Sequence, residues 1–152
     1  TDTLFAPDED ITRAMFVTVL YRIEKEPQAA AVGFSDIESG SYYENAVAWA
    51  AENGIVKGIS DTEFAPNAHI TREQMAAIAF RYAQFKGYDT AISGELSYTD
   101  NSSVSDWAKD AVIWAAEKGI MSGNTDGSFA PAANTTRAQA AAVFMRILEK
   151  LN

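Results

Sequence analysis

The decapeptide AVAWAAENGI at residues 46–55 returns as AVIWAAEKGI at residues 111–120, 65 positions later. After each copy the tripeptide FAP and then the dipeptide TR recur at matching distances, with FAP at 64–66 and 129–131. FAP and TR also stand near the start of the chain, at 5–7 and 12–13, with no decapeptide before them. The same ordered motifs thus recur at spacings of 59 and 65 residues, which is typical of tandem structural repeats, so the chain is interpreted as a repeat protein.

The repeat boundaries follow from this alignment. A Phe/Tyr-x-Asp element at 34–36 and 98–100 opens each complete unit. The sequence therefore predicts the second half of a first repeat at 1–33, a second repeat at 34–94 and a third at 95–152, packed as one compact module. Thr1 aligns with Thr125, inside a unit, so we expect that Thr1 is not the natural start of the protein.

Two kinds of helix are predicted in each unit. The helix after each TR carries apolar residues at i, i+3, i+4 and i+7, beginning at Phe16, Met75 and Ala140. That spacing makes one apolar stripe per helix, and three equivalent stripes would bury each other most simply in a three-helix core. Shorter Ala/Trp helices are expected over 42–53 and 107–118, each ending at a left-handed C′ glycine. The predicted fold is all-α.

The starts of the stripe helices carry capping signals. Thr71 with Gln74, and Thr136 with Gln139, match the capping box, in which the threonine and the glutamine each satisfy one free amide. In the first unit the position of the glutamine is Met15, which cannot return the second bond.

Composition excludes several classes of protein. Acidic residues outnumber basic ones by 21 to 12 in a chain of 152, which gives a net charge of −9 and opposes binding to nucleic acid. There are no cysteines, so disulfides and thiolate metal sites are ruled out. No apolar run reaches 18 residues, so no membrane insertion is predicted.

An arginine follows each N-cap threonine, at Arg13, Arg72 and Arg137. A cation at the first helical position is mildly unfavourable, because the helix N-terminus already carries partial positive charge. Free amides, the helix dipole and a guanidinium together would bind a carboxylate or phosphate, so the arginines are candidate anion ligands. The alternative is a buried structural salt bridge to Asp36 or Asp100.

The tryptophans and the loop glycines have two readings each. Trp49 and Trp114 lie mid-helix among alanines, where they would pack in the core or stack on a sugar from the edge. Gly58 and Gly123 follow the helices in tight loops, where they would serve the backbone or admit a ligand to main-chain amides.

No pattern predicts catalysis, a metal or a cofactor. The segment starting at Ser122 lacks the acidic residues that a calcium loop needs at its first and twelfth positions. His69 is the single histidine and has no equivalent in the other repeats. Neither a nucleophile elbow nor a nucleotide-binding loop is present, so the chain is predicted not to be an enzyme.

Together, Phe-x-Asp, Ala-x-x-Trp-Ala-x-x-x-Gly-Ile, Phe-x-Pro and Ile-Thr-Arg resemble the S-layer homology domain, over essentially the whole chain in two complete copies and one half copy. The resemblance implies a pseudo-threefold central three-helix bundle with lateral helices and ligand grooves between repeats. It also implies a non-catalytic module, outside the cell on the bacterial surface, that binds anionic secondary cell-wall polysaccharide, often through a pyruvylated sugar. A module for protein–protein or lattice assembly is the alternative, and a hydrolase is a third class.

The resemblance assigns glycan-binding roles to positions that match the family motifs. The family's Thr-Arg-Ala-Glu motif falls on Thr12, Thr71 and Thr136 and the three residues after each, with the arginine kept and the closing glutamate never kept. The first unit lacks an aspartate, tryptophan and glycine loop of its own, so at most two grooves look complete, and self-association through this half repeat is expected as an alternative. The assigned residues are Arg13, Arg72, Arg137, Asp36, Asp100, Trp49, Trp114, Gly58 and Gly123.

Overall fold

The computed structural model describes residues 5–31 and 33–151. Within these ranges there are five α-helices and no β-strand, so the predicted all-α class is confirmed. Two single-turn 3-10 helices at Asn101–Ser103 and Asp106–Ala108 precede the fourth helix. The α-helices are α1 (Arg13–Ile23), α2 (Glu44–Glu52), α3 (Arg72–Phe85), α4 (Lys109–Glu117) and α5 (Arg137–Lys150).

The chain divides into two compact units. One is Ile11–Ile70, in which α1 packs against α2. The other combines the residues up to Asp10 with those from Thr71 onward, and in it α3 packs against α4 and α5. We call α1, α3 and α5, which carry the predicted apolar stripes, the stripe helices, and the shorter α2 and α4 the lateral helices. In each unit a stripe helix packs against the lateral helix of the next predicted repeat, α1 against α2 and α3 against α4. The repeat boundaries and the pseudo-threefold bundle stay predictions from the sequence.

The predicted apolar stripes are largely buried. All four stripe residues of α3 and of α5 lie in the core, whereas in α1 Phe16 and Leu20 are buried and Val19 and Ile23 are half-buried. Burial of these side chains is the main favourable term that holds such short helices in place.

The helix ends follow the predicted chemistry. Both capping boxes form, and Thr12 accepts from the Met15 amide with no returning bond. At the end of α2, Gly54 has φ +69°, and the amide of Ile55 donates to Ala50 O at 2.8 Å, which is a Schellman motif. Gly119 ends α4 in the same left-handed conformation.

The lateral helices begin two residues later than predicted, at Glu44 and Lys109. Their N-cap residues, Tyr43 and Ala108, have no side-chain capping bond. Without such a bond the first turn is not held in α-helical form, and before α4 it is a 3-10 turn.

Candidate functional site

The first amides of α3 are bonded to protein. The amide of Arg72 donates to Ala133 O at 2.9 Å, and the amide of Glu73 donates to Pro131 O at 3.0 Å. The third amide is bonded to the N-cap threonine. The acceptors belong to the segment that begins with Phe-Ala-Pro, which we call the connector (residues 5–10, 64–70 and 129–135).

The same exchange occurs at the other two stripe helices. Arg13 N donates to Ala68 O at 2.9 Å, and Arg137 N donates to Glu9 O at 2.8 Å. Each stripe helix thus receives the connector of the next repeat in sequence order, and the third receives that of the first. The prediction that free helix amides bind an anion is therefore wrong, because connector carbonyls already occupy them.

The Arg72 side chain joins two further segments. Its Nε donates to Phe129 O at 2.7 Å, its Nη2 donates to Ser122 O at 2.8 Å, and its guanidinium carbon lies 4.8 Å from the centre of the Phe129 ring. The residue is 8% exposed. Because a guanidinium offers several donors in one plane, it can hold the connector to the loop at 122–124, which we call the glycine loop. We call this arrangement the arginine clasp.

Arg13 forms an equivalent clasp in the other unit. Its Nε donates to Phe64 O at 2.9 Å, its Nη2 donates to Lys57 O at 3.1 Å, and it lies over the Phe64 ring at 4.6 Å. Two clasps with the same three contacts show that these arginines have a structural role. Burial lowers the pKa of Arg72, while the charges of Tyr98 and Asp100 act in the opposite direction.

Arg137 is placed differently. Its guanidinium lies over the ring of Phe5 at 5.6 Å, Arg137 is half-buried and Phe5 is exposed. The position equivalent to Ser122 and Lys57 would precede Thr1. Among the described residues, the Arg137 side chain has the aromatic contact of a clasp without its two carbonyl bonds.

The motif aspartates hold the connectors by their backbone. Asp100 accepts from the amides of Phe129 and Ala130, both at 2.8 Å, and the bond from Phe129 is the main cause that lowers the Asp100 pKa. Ala130 has φ +53°, a conformation that costs energy for alanine, and the paired bonds stabilise it. Asp36 makes the same pair of bonds in the second repeat, at 2.9 and 2.6 Å. Carboxylate and arginine thus hold the same connector from two sides, through backbone groups of the connector. A salt bridge between arginine and aspartate stays a prediction.

The loop glycines allow close approach of the chain to itself. A Cβ on Gly58 would lie 2.2 Å from Ser60 O and 2.5 Å from Glu63 O. A Cβ on Gly123 would lie 2.6 Å from Tyr98 Cε1. The space beside both glycines is filled by protein, so the first of the two readings, service to the backbone, is supported. Access of a ligand to the main-chain amides stays a prediction.

The mid-helix tryptophans are core residues. Trp114 is 0% exposed, its ring lies 5.5 Å from that of Phe80, and its Nε1 donates to Asp89 O at 3.2 Å. Trp49 is also buried, with its ring 5.8 Å from that of Tyr21. Of the two readings, core packing is the one that this burial supports. A role of the tryptophans in glycan binding stays a prediction.

A groove of about 250 Å³ lies between α3, α5 and the glycine loop at 122–124. Its polar lining comprises Arg72, Ser122, Gly123, Asn124, Gln139 and Arg146, and its apolar part comprises Met75, Met121, Ala142 and Val143. Of the nine predicted site residues, Arg72 and Gly123 line this groove.

Arg146 is the residue that the motifs missed. It lies on α5, is half-buried, and donates from Nη1 to Ile120 O at 3.1 Å. A signal was present, because an arginine stands nine residues after each clasp position, at Arg22, Arg81 and Arg146. Gln139, assigned only to capping, also faces the groove.

Comparison with known proteins identifies the family. The model of the S-layer homology domain matches residues 33–76 and 97–141, which is more than half of the chain. The chain therefore belongs to the S-layer homology domain family, as its repeated motifs predicted.

Its relatives are parts of much longer proteins. The chain is 40% identical to an amylopullulanase of Thermoanaerobacterium thermosulfurigenes over 99% of its length and to the exoglucanase XynX of Acetivibrio thermocellus over 100%. It is 34% identical over 97% to a surface-layer 125 kDa protein of Lysinibacillus sphaericus. It spans 8%, 14% and 12% of these three proteins. The predicted placement at the bacterial surface agrees with such relatives. In the part of the chain that the structure describes, no helix is long and apolar enough to cross a membrane.

Proposed function

We propose that this chain is a non-catalytic module that anchors its parent protein to the bacterial cell wall by binding an anionic polysaccharide, with a pyruvate ketal as the recognised anion. The observation that carries the proposal is the groove in which Arg72 and Arg146 come together. Two cations in one groove are selective for an anion, because the chain as a whole has a net charge of −9 and repels anions elsewhere.

The groove retains donors for a ligand. The clasp of Arg72 uses two N–H groups of the five that a guanidinium carries, and Arg146 uses one. A ketal-linked pyruvate offers a carboxylate, which guanidinium groups bind by short charge-assisted bonds. The Gln139 amide and the methionine side chains would contact the hydroxyl groups and the apolar face of the sugar.

The shared segment also favours anchoring over catalysis. An amylopullulanase and an exoglucanase both contain a segment 40% identical to this chain, yet it makes up only 8% and 14% of those proteins. Enzymes named for different reactions are not expected to share their reaction chemistry in such a segment. Anchoring is a role that both can share.

The test is co-sedimentation with purified sacculi of a bacterium that makes pyruvylated wall polymer. We expect binding by the intact chain, a loss of about tenfold or more with Arg146→Gln, and no loss with Arg22→Gln, an exposed arginine at the equivalent position of α1. Arg146 is preferred to Arg72 as a target because Arg72 also supports the fold.

Sacculi with the pyruvate removed separate the proposal from simple wall adhesion. Equal binding to treated and untreated sacculi would disprove recognition of the ketal. Absence of sacculus binding, together with concentration-dependent oligomers in light scattering without glycan, would instead support the assembly module.

A further inference from the structure

The peptide bond at the end of α2 joins Asn53 to Gly54, which is the one Asn-Gly pair in the sequence. Both residues are exposed, and a Cβ on Gly54 would meet nothing within 4 Å, so the bond is open to water. An asparagine before glycine is chemically reactive, because glycine has no side chain that shields its backbone nitrogen from the neighbouring side-chain amide. The pair is therefore a candidate for spontaneous loss of the amide.

The reaction consumes only water. The backbone nitrogen of Gly54 loses its proton and attacks the side-chain amide carbon of Asn53, the C–N bond of the side chain breaks, and ammonia leaves with the proton. Water then opens the five-membered imide at one of its two carbonyl groups. The product is aspartate, or isoaspartate if the main chain now runs through the former side chain. In total, an amide and water become a carboxylic acid and ammonia.

The fold holds this pair in an unreactive arrangement. Asn53 is the C-cap residue of α2, and its ψ of 8° turns the Gly54 nitrogen out of the plane that the five-membered ring requires. The side-chain Nδ2 of Asn53 donates to Trp49 O at 2.8 Å, and the Gly54 amide donates to Ala51 O at 3.1 Å. Both reacting groups are thus bonded elsewhere, so the last turn of α2 must open before they can meet.

The product no longer fits this helix end. A carboxylate at position 53 cannot donate to Trp49 O, and its negative charge is unfavourable at a helix C-terminus. Isoaspartate also adds one carbon atom to the main chain. That extra atom shifts the register of the turn in which the Ile55 and Val56 amides donate to Ala50 O at 2.8 and 3.1 Å. Once modified, the turn cannot close as before.

The turn leads directly into the clasp of Arg13. Ile55 and Val56 are buried, with 0% and 3% exposure, and the next carbonyl oxygen, Lys57 O, accepts from Arg13 Nη2 at 3.1 Å. A change in the turn therefore moves the loop carbonyl that the arginine holds.

The equivalent helix end in the other unit lacks this chemistry. Lys118 is the C-cap residue of α4, and Gly119 adopts the same left-handed conformation with φ +64°. The turn does not require asparagine, and a lysine is favoured at this end by the helix dipole. Asn53→Lys is thus a control that the chain itself provides.

We propose that Asn53 is a modification site controlled by the last turn of α2. Its amide is lost when this turn opens, and the aspartate or isoaspartate that forms loosens the loop that Arg13 holds. Because ammonia leaves, the change is irreversible. It weakens the unit Ile11–Ile70.

The first test compares conversion of Asn53 in the folded chain and in guanidinium chloride, at the same mildly alkaline pH, by peptide mass spectrometry. We expect conversion in buffer to be about tenfold slower or more, because the turn must open first. Asn124, whose neighbour Thr125 has a side chain that shields its nitrogen, is the internal control and should convert little in either solution. Equal rates at Asn53 would disprove control by the turn, and no conversion in denaturant would disprove the site.

The second test measures the converted chain after its separation by ion exchange. We expect Tm to fall on the order of 5 °C and the Ile55 and Val56 amides to exchange hydrogen about tenfold faster or more. Asn53→Lys, incubated in the same way, should keep its mass and its Tm. A converted chain with the Tm and exchange rates of the unmodified chain would disprove the link between this site and the loop.

Discussion

Arg72 holds Phe129 twice: its Nε donates to the Phe129 carbonyl oxygen at 2.7 Å, and its guanidinium covers the ring of the same residue at 4.8 Å. A third contact reaches Ser122 O. The arginine that the motif marks as a ligand is therefore first a structural tie between a helix, a loop and a connector.

Arg72→Ala is accordingly expected to lower the free energy of unfolding by about 3 kcal/mol, because the buried Phe129 carbonyl oxygen and the partly buried Ser122 carbonyl oxygen lose charge-assisted partners. The stability of Arg72→Lys should lie between those of the wild type and Arg72→Ala, since an ammonium group lacks the planar fork that bonds both carbonyls. Urea denaturation followed by circular dichroism measures both. Arg22→Ala is the control and should change stability by less than about 0.5 kcal/mol. If Arg22→Ala destabilised as much as Arg72→Ala, the stabilising role of the clasp contacts would be contradicted.

Asp100→Asn should change how stability depends on pH. Hydrogen bonds from the Phe129 and Ala130 amides lower the Asp100 pKa in the folded chain. A lowered folded pKa contributes stability that is complete above the unfolded value of about 3.9 and is lost as pH falls through the folded value. We therefore expect the stability difference between the wild type and Asp100→Asn to be largest at neutral pH and to shrink below about pH 4. A difference that stays constant down to pH 2 would contradict this assignment.

The glycine loops give an ordered prediction. Gly58→Ala should destabilise by about 2 kcal/mol or more, since its Cβ would lie 2.2 Å from a backbone oxygen that cannot swing aside. Gly123→Ala should cost less, because its closest contact is the side chain of Tyr98 at 2.6 Å. Gly33→Ala, where a Cβ meets nothing within 4 Å, is the control and should be neutral or slightly stabilising. Thermal melts of the three variants test the order.

Met15→Gln should complete the missing capping box of α1. Gln74 and Gln139 each accept from their N-cap amide at 3.1 Å, and Thr12 already accepts from the amide at position 15. We expect a gain of about 0.5 kcal/mol in chemical denaturation. Gln74→Met, the reverse change, should lower the free energy of unfolding by a similar amount. No change in either variant would show that the capping box does not stabilise this fold.

The helices were predictable because their signals are local. Apolar spacing, the threonine–glutamine boxes and the C′ glycines act within one or two turns, and each was found where the sequence placed it. The late starts of α2 and α4 were not predicted, since they depend on the absence of a side-chain cap.

The site was less predictable, because its partners are far apart in the chain. Arg72 meets carbonyls 50 and 57 positions away, and no local pattern reveals that these carbonyls and the connector already use the helix amides. Trp114 reads as a sugar platform or as core until Phe80 is seen beside it. Arg146 was overlooked because its partner in the groove, Arg72, stands on another helix.

The exchange of connectors has a consequence for anyone who recombines these modules. A crossover at 33/34, where the predicted repeat ends, would separate Arg13 from Lys57 and Phe64. Arg13 would then have to form its clasp with residues of a different protein. A crossover at 70/71 keeps both clasps intact, one in each fragment, although it separates the connector at 5–10 from α5. Chimeras of related modules should therefore be joined immediately before the Thr71–Arg72 pair, because each fragment then contains a complete arginine clasp.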